Sequence, residues 1–138
     1  MSFENPNRGE IAEILKTKKR IAVVGLSDNP MRTSHSVSEA MKEAGYEIVP
    51  VNPNVDSVFG IKAVPALSEV EGHVDIVNVF RRSEFLPELA KETAAIGADV
   101  FWAQLGVYHD EAYEQLKAHN ITVIMDRCIK VEHAMMKQ

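Results

Sequence analysis

Short apolar runs recur along this chain, and longer amphipathic segments separate them. The runs are apolar almost throughout instead of at every second position, which is typical of strands buried on both faces of a parallel sheet. On this basis five strands are predicted, at Arg20–Gly25, Tyr46–Val51, Asp75–Phe80, Asp99–Ala103 and Ile121–Met125.

The segments between the runs carry apolar residues at helical spacing. In the first of them, Asn7–Lys18, the residues Ile11, Ile14 and Leu15 share one helical face, so we expect this helix to pack on the sheet. Further helices are predicted at Ser34–Ala44, Ser83–Ile96, Asp110–His119 and Cys128–Met136.

Small residues mark the ends of these helices. Gly45 and Gly97 follow two of them, where a left-handed glycine commonly ends a helix. Ser83 and Asp110 stand at the start of two others, where their side chains are expected to act as caps. The region 55–71 has no clear period, and it is predicted as an irregular crossing with a minor strand and one brief helical turn.

The regular alternation of strand and helix predicts an α/β fold: a Rossmann-like, doubly wound, mostly parallel sheet with helices on both faces. The 138 residues, of which 46% are hydrophobic, fit a single domain over residues 1–138. Ligands of such sheets bind outside the carboxyl ends of the strands, where the strand order reverses. Four predicted loops meet at that edge, at Leu26–Thr33, Asn52–Val55, Arg81–Ser83 and Gln104–His109.

The loop after the first strand has the composition of an anion site. Free backbone amides at the start of a helix, hydroxyl groups and a guanidinium suit a diphosphate. The candidate binding residues are Gly25, Ser27, Asn29, Pro30, Arg32, Thr33 and Ser34. Helix capping alone also explains Thr33 and Ser34, and Pro30 also fits a rigid turn without a ligand role.

The same loop lacks the features of a dinucleotide site. The G-x-G-x-x-G fingerprint needs three glycines, but Ser27 and Pro30 follow Gly25 at the second and third positions. The acidic residue expected about 20 residues further on, at the end of the second strand, is also missing, because Asn52 and Pro53 stand there. A nucleotide is therefore favoured, and NAD is not.

The other loops of this edge add further candidates. Asn52 and Pro53 form a stiff polar ledge where an adenine could lie, although a simple turn explains them equally well. Phe80 and Arg81 end the third strand, and Arg81 is preferred over Arg82 because it lies nearer the strand end. After the fourth strand, Gln104 and Gly106 are candidates, whereas Trp102 is predicted to be core.

Composition and charge exclude several function classes. A net charge of -5 and a pI near 5.5 give no general attraction to nucleic acids or anionic membranes. The apolar runs are too short to span a membrane, and the single cysteine rules out an internal disulfide. We therefore expect a soluble cytoplasmic protein without nucleic-acid or membrane partners.

The chemistry-bearing residues form no obvious catalytic group. The five histidines show no metal-ligand spacing, so no metal site is predicted. No nucleophile stands beside a suitable base, and the chain carries neither a G-x-S-x-G elbow nor a P-loop. Cys128 lies where an arginine and helix amides would lower a thiol pKa, but a buried, inert cysteine is the favoured interpretation.

Five ordered motifs together identify a resemblance. They are IAVVGLSDNPMRTS at 21–34, GYEIVPVNP at 45–53, VDIVNVFR at 74–81, WAQLGV at 102–107 and MDRC at 125–128. Together they resemble the small stand-alone CoA-binding proteins, which are related in fold to the N-terminal CoA-binding domain of the succinyl-CoA synthetase alpha subunit. The resemblance spans nearly the whole chain.

The resemblance implies coenzyme A as the ligand. The loop from Gly25 to Ser34 would hold the CoA diphosphate, Asn52 and Pro53 would border the adenosine, and Arg81 would face the phosphates or the pantetheine arm. The phosphohistidine chemistry of the synthetase resides in a further domain, so that activity does not transfer with the fold.

The predicted function is binding of CoA or an acyl-CoA without evident catalysis. Two alternatives stay open: a thiol, redox or acyl-transfer enzyme that uses Cys128, and an NAD(P)-binding regulatory module. The expected partner is a small molecule, and the sequence specifies no protein partner.

Overall fold

A computed structural model describes residues 3–136 of the chain. Within this range the strands are β1 (Arg20–Val24), β2 (Glu47–Val51), β3 (Ser57–Val58), β4 (Ile61–Lys62), β5 (Ile76–Val79), β6 (Val100–Ala103) and β7 (Thr122–Ile124). The α-helices are α1 (Arg8–Thr17), α2 (Thr33–Glu43), α3 (Leu86–Ile96), α4 (Asp110–Ala118) and α5 (Ile129–Met135). Short 3-10 turns occupy Leu67–Glu69 and Ser83–Phe85.

Five of the strands form one sheet in the order β2-β1-β5-β6-β7, and every neighbouring pair is parallel. The strand order reverses at β1, which has β2 on one side and β5 on the other. The predicted doubly wound α/β fold is therefore confirmed. In the irregular region, β3 and β4 form a separate antiparallel pair.

The two faces of the sheet bury separate apolar clusters, because successive strand side chains point to opposite faces. Ala22 and Val24 of β1 belong to the cluster covered by α3 and α4. Ile21 and Val23 belong to the cluster covered by α1, α2 and α5, which also contains the fully buried Trp102. Trp102 is therefore core, as predicted.

Two helices begin at other residues than predicted, and a third begins at Asp110 as predicted but has a different cap. The residue before α2 is Arg32, and within the described chain no side chain caps this helix. Ser83 lies in the 3-10 turn before α3 and accepts a hydrogen bond from the amide of Tyr108. His109 precedes α4 as its cap, and its Nδ1 accepts from the amide of Glu111. Asp110 is the first residue of that helix.

Both outer strands of the sheet are partly covered. Beyond β7, the side-chain amide of Asn5 donates to the carbonyl of Met125 at 2.8 Å and accepts from its amide at 2.9 Å, as a neighbouring strand would. Beyond β2, the amide of Val64 donates to the carbonyl of Pro50 at 3.1 Å. Pro50 itself has no amide hydrogen to leave unpaired.

The edge of the sheet where the strands begin, here the amino edge, is held by paired charges. Lys18 and His73 each lie 3.1 Å from Oδ2 of Asp99. Oδ2 of Asp75 accepts the backbone amides of Lys19 and Arg20 at 3.0 and 2.9 Å. These contacts join the starts of β1, β5 and β6.

Candidate functional site

An open cleft of about 490 Å³ lies at the opposite edge, here the carboxyl edge, where the strand order reverses. Five of the predicted site residues line it: Gly25, Asn52, Pro53, Phe80 and Arg81. The ends of β1, β2 and β5 therefore bring these five residues together. The 3-10 turn 67–69 and helix α3 supply further walls.

Gly25 lets the chain turn at the end of β1 in close contact with β5. Its φ of +86° lies in the region that favours glycine. A Cβ atom there would lie 2.7 Å from the carbonyl oxygen of Phe80 and 3.3 Å from Cδ of Arg81. A side chain at this position would therefore displace two other residues of the cleft.

Asn52 fixes the loop between β2 and the cleft. Its Nδ2 donates to the carbonyl of Leu26 at 3.0 Å, and its Oδ1 accepts the amide of Asn54 at 2.9 Å. The side chain thus ties the end of β2 to the loop after β1. Because both polar atoms of the side chain are already hydrogen-bonded within the protein, Asn52 contributes to the cleft mainly by fixing the shape of its wall.

Arg81 and its neighbour Arg82 have different surroundings. Cζ of Arg81 lies 4.3 Å from the ring centroid of Phe85, a cation–π distance, and within the described chain its guanidinium makes no ion pair. Nε of Arg82 pairs with Glu84 at 3.2 Å on the surface. Of the two, Arg81 is the arginine that lines the cleft.

Glu92 of α3 brings a carboxylate to the same cleft. Burial raises the pKa of Glu92, the nearby charge of Glu88 raises it further, and Arg81 acts in the opposite direction. The net result is a pKa above the ordinary value for glutamate. Glu92 is therefore a titratable group in the wall of the cleft.

The loop between β1 and α2 organises itself through its own polar side chains. Oγ of Ser34 accepts the amide of Ser27, Oγ of Ser27 accepts the amide of Asn29, and Oδ1 of Asn29 accepts the amide of Met31, each at 3.0 Å. One interpretation of the sequence made Ser34 a cap of α2. In the structure its hydroxyl supports the loop instead.

The start of α2 keeps unpaired donors. In the part of the chain that the structure describes, the amides of Thr33 and Ser34 donate no hydrogen bond, and the exposed Arg32 makes no ion pair. The positive end of an 11-residue helix thus lies at the carboxyl edge with free N–H groups. Pro30 keeps its place in the turn before Arg32, whose amide donates to the carbonyl of Asn29.

Gln104 and Gly106 lie at the same edge but outside the wall of the cleft, because β6 is separated from β1 by β5. Gln104 is 7% exposed, and its Oε1 has no hydrogen-bond partner among residues 3–136. The amide of Gly106 donates to Oδ1 of Asp126 at 2.7 Å, which anchors this loop to the end of β7.

Several cleft residues were missed by the sequence analysis. They come from the strand ends, from the irregular region and from the inner face of α3: Val24, Val51, Asn54, Pro65, Ala66, Leu67, Leu89 and Glu92. Pro65–Leu67 had no periodic signal. Glu92 occupies a polar position of an amphipathic helix, and nothing in the sequence distinguishes it from the other polar positions of α3.

Cys128 lies before α5, half-buried and packed against the apolar cluster of α1, α2 and α5. The cleft described above does not include it. Away from this edge, His73, Asp75 and Asp99 place one possible metal-ligand atom each within 4.8 Å of one another. Lys18 already pairs with Asp99, and backbone amides occupy Asp75, so these groups serve the amino edge as described.

The structure is a doubly wound α/β domain with an open cleft at the switch point of its sheet, which is where domains of this class bind their ligands. The family model of the CoA binding domain matches residues 19–134. The chain belongs to this family. The resemblance seen in the sequence is thereby confirmed.

The chain is similar both to a protein of its own length and to part of a much longer enzyme. YneT of Bacillus subtilis (strain 168) is 60% identical over 135 residues, which cover 98% of this chain and 100% of YneT. An ADP-forming acetate–CoA ligase of Methanocaldococcus jannaschii is 23% identical over 121 residues, 82% of this chain but 17% of the ligase. The chain therefore spans a small part of the ligase that it resembles.

A solved structure supports the same fold. A hypothetical protein from Pyrococcus horikoshii OT3 superimposes with a TM-score of 0.93 at 29% identity, with 100% of both chains covered. Among the residues that the structure describes, no helix is both long and apolar enough to cross a membrane.

Proposed function

We propose that this protein binds coenzyme A, free or as an acyl-CoA, at the carboxyl edge of its sheet, and that it holds the ligand without catalysing a reaction of its own. Membership of the CoA binding domain family supports the ligand class. The observation that carries the proposal is the guanidinium of Arg81, which lines the cleft beside Gly25 and makes no ion pair in the described chain.

The charges and donors at this edge suit the anionic part of CoA. The diphosphate would bind at the loop from Ser27 to Ser34, where Arg32 and the free amides of α2 offer a guanidinium and N–H donors. Arg81 would neutralise a phosphate from the other side of Gly25. Together these groups form a local positive site on a protein whose net charge is -5.

The remaining cleft suits the less polar part of the nucleotide. Asn52 and Pro53 form one wall, and Pro65–Leu67 and Leu89 form an apolar one. A purine has two apolar faces and polar edges, so the adenosine would lie between these walls. Gln104, with its unpaired and buried Oε1, is proposed to accept an N–H group of the pantetheine arm.

A ligand panel tests the proposal. CoA, dephospho-CoA, acetyl-CoA, NAD and NADP are compared by thermal melting, followed by calorimetric titration. A ligand at 100 times its Kd adds about 2.7 kcal/mol of stability, which shifts the Tm of a domain this size by several degrees. We expect CoA and acetyl-CoA to raise the Tm and acetyl-CoA to be recovered intact. A shift with NAD and none with CoA would contradict the proposal.

Thiol chemistry at Cys128 is a separate hypothesis with its own test. The protein is incubated with CoA disulfide, and its mass is then measured. Attack by the Cys128 thiolate would release one CoA thiol and leave one CoA joined to the protein through a mixed disulfide. Under the binding proposal, we expect no adduct that depends on Cys128, as judged by comparison with Cys128→Ser. A cytoplasmic location stays a prediction from the sequence.

A further inference from the structure

The cleft holds two opposite charges that are not paired with each other. Among the described residues that line it, Arg81 is the only cation and Glu92 the only carboxylate. Neither side chain makes an ion pair in that part of the chain. An anion that enters beside Arg81 therefore enters the same cleft as a carboxylate.

Arg81 is held in place independently of Glu92. Its guanidinium stacks on the ring of Phe85, and its Cδ lies against the turn at Gly25. Glu92 projects from the middle of α3, and Leu89 lines the cleft one turn before it. Because both groups are fixed by rigid elements, Glu92 does not need to hold Arg81 in position.

We infer that Glu92 opposes the binding of a phosphate group at Arg81, so that the anion binds together with a proton taken up by Glu92. This inference rests on the proposed function, since it concerns the same cleft and the same class of ligand. The physical reason is repulsion between like charges in a cleft that is only partly open to water, where screening is weaker than in bulk solvent.

Phosphate binding at Arg81 is expected to change the pKa of Glu92 in one direction. Burial and the charge of Glu88 already raise its pKa, and Arg81 lowers it. A phosphate that neutralises Arg81 removes the lowering influence and adds a second negative charge, so the pKa of Glu92 is higher in the complex. The other charged residues on its own helix, on α4 and on the two packed 3-10 turns do not line the cleft; they are Lys91, Glu69, Glu84, Asp110, Glu111, Glu114 and Lys117.

Linkage then fixes the pH dependence. Because the pKa of Glu92 is higher with ligand than without, affinity is greatest below the pKa of the free protein. It falls as the pH rises through the pKa of the complex. CoA itself carries a phosphate monoester that titrates near pH 6, whereas the diphosphate of dephospho-CoA keeps its charge. Dephospho-CoA is therefore the probe for the pH profile.

The test is calorimetric titration of wild type, Glu92→Gln and Glu114→Gln with CoA at about pH 8, and with dephospho-CoA in two buffers of different ionisation enthalpy from about pH 5, close to the ordinary pKa of a glutamate, to about pH 8. We expect Glu92→Gln to bind CoA roughly three- to tenfold more tightly than wild type at the higher pH. Wild type should take up a proton on binding dephospho-CoA, and Glu92→Gln should not. Glu114, exposed on α4, is the matched control and should leave both values unchanged.

The failures of the two proposals can be told apart. If Glu92→Gln binds more weakly, Glu92 accepts a hydrogen bond from the ligand, and the inference is wrong while CoA binding stands. Equal affinity with no proton uptake in wild type overturns it as well. If wild type binds neither CoA nor dephospho-CoA, the proposed function fails and the inference fails with it.

Discussion

The charged side chains at the amino edge of the sheet are paired with each other, whereas two arginines at the carboxyl edge are not. At the amino edge, Asp99 accepts Lys18 and His73 within 3.1 Å. At the carboxyl edge, Arg81 and Arg32 make no ion pair within residues 3–136. The difference separates charges that fix the strands from charges that stay available to an anion.

Helix direction accounts for part of this difference. In a parallel sheet each crossover helix begins near the carboxyl edge and ends near the amino edge, so α2, α3 and α4 all present their positive ends on the side of the sheet where the cleft lies. The free amides at the start of α2 attract anions. At the amino edge, in contrast, carboxylates accept side-chain cations and the amides of Lys19 and Arg20.

Substitution of Gly25 should have the largest effect on this comparison. Gly25→Ala puts a Cβ atom 2.7 Å from the carbonyl of Phe80 at a φ of +86°, so we expect a loss of about 2 to 4 kcal/mol of stability. CoA binding should weaken too, because Cδ of Arg81 is displaced.

Gly97→Ala is the matched control for Gly25. Its φ is also positive, at +70°, but no atom lies within 4 Å of the new Cβ. Only the backbone strain of about 1 kcal/mol is expected there. Urea denaturation measures both variants, and equal losses would mean that the close approach of β1 and β5 has no special role.

Removal of the cleft arginine should come next. Arg81→Ala is expected to weaken CoA binding by about 2 to 3 kcal/mol, the scale of a charge-assisted hydrogen bond, with little change in folding. Arg82→Ala should leave affinity unchanged, since Arg82 is 77% exposed and pairs with Glu84. Titration calorimetry compares the two neighbours, and a larger loss for Arg82 would reverse our assignment.

Arg32→Ala tests the other side of Gly25. Arg32 is exposed, so solvent and salt screen its charge, and we expect CoA to bind about 1 to 2 kcal/mol more weakly. The loss should shrink as salt is added. If Arg32→Ala and wild type bind CoA equally well at low salt, Arg32 has no role in binding.

The smallest effect should come from the amino edge. Burial raises the pKa of Asp99, but hydrogen bonds from His73 and Lys18 together hold its pKa below the ordinary value. The resulting stabilisation is present above the pKa of an unfolded aspartate and is lost as the pH falls through the folded pKa. Asp99→Asn should cost less than about 1 kcal/mol near neutral pH, because Asp99 is partly exposed.

Acid denaturation and CoA titration measure this last variant together. The difference in stability between wild type and Asp99→Asn should vanish as the pH falls, and CoA affinity should not change. Weaker CoA binding in Asp99→Asn would show that the two edges are coupled, and the comparison would then fail.

The sequence predicted the sheet well because its strands are buried on both faces. The runs ending at Gly25, Val51 and Phe80 are apolar almost throughout, and the structure places their ends side by side. The predicted capping residues were less accurate, because Ser34 and Ser83 bond to loop amides that lie close only once the chain has folded.

Eight of the thirteen residues that line the cleft could not be found in the same way. Pro65–Leu67 is brought to the switch point by the bridge between Val51 and Val64, a contact between residues that no local period predicts. Glu92 resembles any polar residue of an amphipathic helix until the helix is placed over the sheet. Its role depends on which strand end it faces.

The side chain of Asn5 has a consequence for how this domain behaves beside other copies and other chains. By satisfying the amide and carbonyl of Met125, it occupies one position at which a foreign strand could extend the sheet by hydrogen bonding. An open row of peptide groups there would invite fibre-like growth. A chain cut just after Asn5 would be expected to self-associate, although the cleft, lined by the ends of β1, β2 and β5, would stay intact.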